Sequence, residues 1–270
     1  MGPVLRVLRA TLRRDLQEAR TYRTGALSRL LGLFGLLFSV YFVARTFAGH
    51  EPPGVAACGG YFVFLLLGLT VTDLTWALIG GASDRVRQGQ LAGTVEGELA
   101  TGVPISTWLA AQGAFAVLAA CGRAVLVLGV GFALADTSPP MASVPKLLLA
   151  FALTIAAHLP IGRVGGAVTL WLKRADPLGR GLHAASMLLS GVAYPVSVLP
   201  TWLQTAAELS PTTHALRALR AALYSSSDGG ELTTACAALA GFAVVGHVVA
   251  GPLVRHFDQR ARRAGSLVQY

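Results

Sequence analysis

The chain has 270 residues, 54% of them hydrophobic and 13% charged, with a mean hydropathy of +0.60. A soluble domain carries about twice that share of charge, so the composition excludes an ordinary water-soluble fold and points to an integral membrane protein. The net charge of +9 does not read as nucleic-acid binding, because the basic residues flank apolar runs where membrane topology requires them.

The first element, residues 4–20, places Leu5, Leu8, Leu12, Leu16 and Ala19 three and four apart, with Arg6, Arg9, Arg13 and Arg20 turned elsewhere. That pattern predicts an amphipathic helix lying on the membrane surface with its arginines toward anionic lipid. The charged stretch before the first apolar run is longer than a signal peptide's leading segment, so the run reads as a retained span. Six runs are long enough to cross a core of about 30 Å. They cover residues 26–47, 55–80, 106–135, 144–172, 178–199 and 232–254. The expected architecture is all-α and integral to the membrane. One domain covers 1–270, with an interfacial helix in 1–25, six spans within 26–254 and a basic cytoplasmic tail at 255–270.

With the N-terminus inside, sixteen of the 22 Lys and Arg fall in inner segments and four in outer ones, Arg123 and Arg163 lying within spans. The imbalance predicts that both termini are cytoplasmic. Cys58, Cys121 and Cys236 have no CxxC partner and fit no metal spacing; Cys58 and Cys236 fall near outer span ends, where either a disulfide or plain packing is open. There is no Asn, and so no N-glycosylation acceptor.

Between the second and third spans, residues 81–105 form a Gly-rich inner loop of mixed charge with Asp84, Arg85, Arg87, Glu96 and Glu98. Within the spans stand Asp73, Arg123, His158 and Arg163. An unpaired charge at the bilayer centre costs at least about 2.5 kcal/mol, so these four should face protein or water. Two readings stay open: a polar lining for a translocation path, or structural pairing, for instance Asp73 with Arg163. Gly162 with Gly166, and Ser186 with Ser190, make small-residue steps that suit close helix packing.

The stretch 186–220 begins as a membrane-grade apolar run and is broken by Pro195, Pro200 and Pro211. Each proline removes a helix hydrogen bond whose carbonyl needs a partner that hydrocarbon cannot supply. A helix rising to about Val198 is therefore expected to turn at the outer surface into two short helices. Trp202 would sit at headgroup level and Ser210–Pro211 at the corner. His214 stands alone beside Thr212 and Thr213 and reads as an interfacial polar contact rather than a ligand.

Gly191, Pro195, Pro200, Trp202, Leu203, Pro211, Thr213 and His214, followed by an Ala/Leu/Arg helix, resemble the carboxy-terminal half of the ABC-2 type permeases, the membrane subunits of bacterial ABC exporters. A second match is Gly93, Thr94, Val95 and Glu96 followed by Thr101 and Pro104, with Gly102 and Val103 departing from the usual spacing. The resemblance implies that Arg85, Gly93, Thr94, Glu96 and Pro104 belong to a coupling element inserted into an ATPase subunit, with Glu96 as its anchoring carboxylate. It implies an outer hairpin of Pro195, Pro200, Trp202, Pro211 and His214, and a surface helix that braces the partner. Two permease copies would meet along the first and fifth spans, as a homodimer or a heterodimer.

No GxxxxGK[ST] loop precedes Lys146 or Lys173, the only lysines, and neither HExxH nor GxSxG occurs. The chain is therefore expected to bind no cofactor and to have no catalytic residue, with ATP and Mg held by the partner ATPase. The expected function is the permease subunit of an ATP-driven exporter of a drug, lipid or glycan in the bacterial inner membrane. An ion-coupled secondary transporter and an integral membrane enzyme are the competing classes. Against them stand the scarcity of intramembrane carboxylates and the missing catalytic set.

Overall fold

The computed structural model describes residues 3–21, 23–47, 55, 59–137, 139–173, 177–224 and 229–263. Among these the chain is helical and has no strand: α1 (Pro3–Thr21), α2 (Arg23–Thr46), α3 (Tyr61–Leu91), α4 (Val95–Ala100), α5 (Ile105–Leu134), α6 (Val144–Leu172), α7 (Pro177–Leu189), α8 (Thr201–Ala207), α9 (Pro211–Tyr224) and α10 (Gly229–Arg263). Five are long and apolar enough to cross a membrane: α2, α3, α5, α6 with the short turn before it, and α10. The chain is thus an all-α multi-pass membrane protein.

The apolar surface of these helices is sorted by packing. α3 is the central helix, in contact with α2, α5, α6, α7 and α9, and its Leu66, Leu67, Val71 and Leu74 are fully buried. α2 by contrast is largely uncovered, with Leu27, Leu31, Phe38 and Phe42 exposed, as a lipid-facing or partner-facing helix would be. α6 lies against α3 with no room for a side chain at the crossing. A Cβ on Gly162 would stand 2.0 Å from the Leu78 carbonyl oxygen, and one on Gly166 would stand 3.4 Å from Ala82 of α3 and 2.9 Å from Leu109 of α5. The Gly162/Gly166 step is therefore intrachain packing. Pro160 sits inside α6 without ending it and packs where α10 presents Gly246.

Several boundaries differ from the sequence expectation. α3 does not stop near Gly80 but continues to Leu91, so Asp84, Arg85 and Arg87 are helical rather than in a loop. The extension is held by side-chain contacts: Gln90 Nε2 donates to the Thr169 and Leu170 carbonyls at 3.3 and 3.2 Å, and Arg87 donates to the Lys173 carbonyl at 2.6 Å. The last helix likewise runs past residue 254 to Arg263, so the described part of the basic tail is helical.

The expected fifth span is not a continuous helix to Val198. α7 ends at Leu189, about 20 Å after its start. Gly191 then takes φ +72°, a left-handed conformation open to glycine, and its carbonyl is claimed by Arg220 Nη2 at 2.9 Å. The turn is welded to α3: a Cβ on Gly68 would stand 2.3 Å from the Val192 carbonyl. Ser186 and Ser190 are buried and turned into the chain, toward Ser210 at 3.4 and 3.0 Å, so this small-residue step too serves packing within the chain. Leu182, Met187 and Leu188 of α7 are the exposed side chains instead. Cys121 and Cys236 are free thiols; Cys58 and its proposed disulfide lie outside the described residues.

Candidate functional site

Three polar constellations occupy the two ends and the middle of the bundle. At the end where α3 finishes, Gly93 with φ +68° ends the helix, and the Thr94 amide returns to the Gly89 carbonyl at 3.0 Å. α4 follows as a six-residue helix, and Gly102 with φ +76° lets the chain turn back. The Pro104 carbonyl then accepts the Thr107 and Trp108 amides at 2.9 and 3.0 Å, starting α5. The extra residues Gly102 and Val103 are accommodated in this turn.

The two carboxylates of α4 point to different surroundings. Glu96 is exposed, as is Leu91 at the end of α3. Glu98 is the inward one, and it gathers three donors: Arg14 Nη1 at 2.5 Å, Trp108 Nε1 at 2.8 Å and Gln112 Nε2 at 2.7 Å. Arg14 also reaches Gln112 Oε1 at 3.1 Å. Trp108 and Gln112 are buried at 4% exposure, so this is a held joint and not a loose surface pair.

Next to it, Arg85 of α3 binds Asp15 and Glu18 of α1, and its Nη1 donates to Gln88 Oε1 at 2.9 Å. Asp15 is buried and Glu18 exposed. The Arg85 guanidinium holds the Glu18 carboxyl below its usual range, mainly by hydrogen bonding. Of the residues expected to couple to a partner, Arg85 is thus committed to α1, whereas Glu96 faces outward. No local sequence signal marks Glu98 or Arg14, because Glu98's partners lie 84, 10 and 14 residues away.

In the middle of the bundle, Asp73 and Arg123 form a two-point ion pair, Nε to Oδ2 at 2.8 Å and Nη2 to Oδ1 at 3.1 Å. This corrects the expected pairing of Asp73 with Arg163. Gly162 abuts Leu78, five residues along α3 from Asp73 and so about 7 Å away, while each step along α6 turns the next side chain by about 100°. The buried Nε of Arg163 has no hydrogen-bond partner among the described residues. His158 is fully buried. Its Nδ1 donates to the Thr154 carbonyl at 2.8 Å, leaving Nε2 to accept from the Thr212 hydroxyl at 3.1 Å. It ties α6 to α9 and does not join Asp73 and Arg123 in one polar path.

At the opposite end, Pro195, Pro200 and Pro211 each precede or open a short helical turn, and Trp202 on α8 is 70% exposed. α9 is more deeply set than an outer hairpin implied. It packs against α3, α6 and α10, and Ala215, Leu216, Ala218 and Leu219 are fully buried. His214 Nε2 lies 3.0 Å from the Glu208 carbonyl. Arg217 forms a two-point pair with the Glu208 carboxylate and holds it below its usual range. The Ser210–Pro211 corner falls where expected, with Thr213 Oγ1 donating to the Ala207 carbonyl at 2.7 Å.

The first constellation presents a short helix, α4, with one exposed carboxylate and the other held by α1 and α5. The family model described as ABC-2 type transporter matches residues 6–224. No curated protein matches the chain.

Proposed function

The chain belongs to the ABC-2 type transporter family, and from that premise we propose that it is the permease subunit of an ATP-driven exporter that works with a separate ATPase subunit. The observation that carries the reading is α4, with Glu96 exposed and Glu98 fastened behind it to α1 and α5. Closure of the ATPase on ATP would push α4, and Glu98 and Arg85 would pass the displacement to α5, α1 and α3. ATP and Mg belong to the partner. The cargo is amphipathic or polymeric, of the drug, lipid or glycan class, and leaves the cytoplasm of a bacterium through its inner membrane.

On this reading the α1 and α4 end is cytoplasmic, both termini lie on that side, and a second permease copy covers the exposed faces of α2 and α7. An ion-coupled carrier is disfavoured because Asp73, the acid well within a span, is bound at both oxygens by Arg123. Accumulation of amphipathic dyes by inverted membrane vesicles containing the chain and its ATPase tests the energy source. Uptake should require ATP and resist a protonophore. Uptake driven by an imposed proton gradient without ATP would install the carrier instead.

A further inference from the structure

The two sides of α1 carry opposite kinds of chemistry, and the sequence separates them by helical phase. At about 100° per residue, Arg6, Arg9, Arg13 and Arg20 fall within about 60° of one another along about 21 Å of helix. All four are exposed, and none is paired with an acidic side chain among the described residues. Leu5 and Leu16, 54% and 46% exposed, lie on the edge of the same stripe. Arg14, Asp15 and Glu18 lie about 110–150° round the helix from its centre, and they are the residues that hold Glu98 of α4 and Arg85 of α3.

We infer that α1 is a lipid-charge-sensitive strut: its arginine stripe binds anionic headgroups, and this seating presses Arg14, Asp15 and Glu18 onto α4 and α3. A lipid surface is the occupant because basic and exposed apolar side chains share one edge, which fits the headgroup and acyl boundary and not a purely polar protein face. The covalent path agrees. α1 ends at Thr21 and the span α2 begins at Arg23, so α1 has no length of chain with which to leave the membrane surface. The attraction is electrostatic, so it weakens with salt and with loss of anionic lipid. The inference deepens the proposed coupling role of α4 and rests on it for its consequence, but its structural core concerns this chain alone.

The test is hydrogen exchange of the α4 backbone in the full chain, reconstituted without nucleotide or partner in phosphatidylcholine vesicles or in vesicles that also contain phosphatidylglycerol. Exchange over residues 95–100 should be several-fold slower with the anionic lipid. Replacing Arg6, Arg9, Arg13 and Arg20 together by Gln should abolish the difference, while replacing them by Lys should keep it. These side chains are exposed, so both variants should fold, and an unchanged exchange pattern over α6 and α10 verifies it. Equal α4 exchange in the two lipids, or a difference that survives the Gln variant, overturns the inference. So does loss of a bound ATPase from the Gln variant with no lipid effect on the lone chain, which would make the stripe a protein-docking face. Because the exchange experiment contains no ATPase, its failure leaves the exporter reading standing.

Discussion

The pair Asp73–Arg123 illustrates how much a single polar residue constrains a membrane helix. Both side chains are about four-fifths buried, and each neutralises the other at two points. Asp73→Asn would leave Arg123 unpaired within the bundle and should lower stability by about 2–3 kcal/mol. Replacing both residues by Leu should recover most of that loss. Thermal unfolding in detergent measures it, and a single variant as stable as the parent would show that the pair is not needed. Glu208 gives a pH prediction at the other end of the bundle. Its folded-state pKa is depressed by Arg217, so its contribution is present above the ordinary carboxylate pKa near 4.3 and disappears as pH falls through the lower folded value. The pair is half exposed, so its contribution is at most about 1 kcal/mol. Glu208→Gln should melt slightly below the parent at pH 7 and together with it near pH 3; a gap that widens in acid contradicts the assignment. The presence of charge at residues 73, 123 and 163 was legible in the sequence, since charge in an apolar run is unambiguous. The partner of Asp73 was not, because the relative depth and rotation of α3, α5 and α6 are set by packing.

At the level of elements, hydropathy located the starts of α2, α5, α6 and α10 within three residues, set the start of α3 six residues too early, and misjudged where α3, α7 and α10 stop. α3 outruns its apolar run by 11 residues because Gln90, Arg87 and Arg85 find partners on α6 and α1, contacts no local signal announces. α7 falls short for the opposite reason: Gly191 and Pro195 interrupt a sequence that is still apolar, and Arg220 from α9 takes the freed carbonyl. Hydropathy is blind to both. The glycine steps could be recognised in the sequence, but their partners could not. Gly162→Val should be among the most damaging substitutions, since its Cβ meets backbone rather than a movable side chain. Separation of α6 from α3 should cost at least about 3 kcal/mol or abolish folding. Gly25→Val, with nothing within 4 Å of its Cβ, should be tolerated far better. Comparable yields of folded protein from the two would contradict the close crossing.

For the whole molecule, α3 runs from the end braced by α1 and α4 to the proline-shaped cap and touches both. Its far end meets the cap, where Tyr61 Oη donates to the Ala193 carbonyl at 3.1 Å, and its near end meets α1 and α4. A displacement entering at α4 would therefore reach the cap through packed helix without crossing a loop. The family was legible from a handful of residues in the cap and in α4, whereas the roles within α4 depended on which carboxylate faces inward. Retention of an ATPase subunit by the tagged chain, purified from its native membrane, bears most directly on this account. The parent chain should bring the ATPase with it, and Glu96→Ala should lose it while remaining folded, because Glu96 is the exposed carboxylate at the contact point. A parent chain that purifies alone yet still transports, or an Ala variant that keeps the ATPase in full, would contradict it.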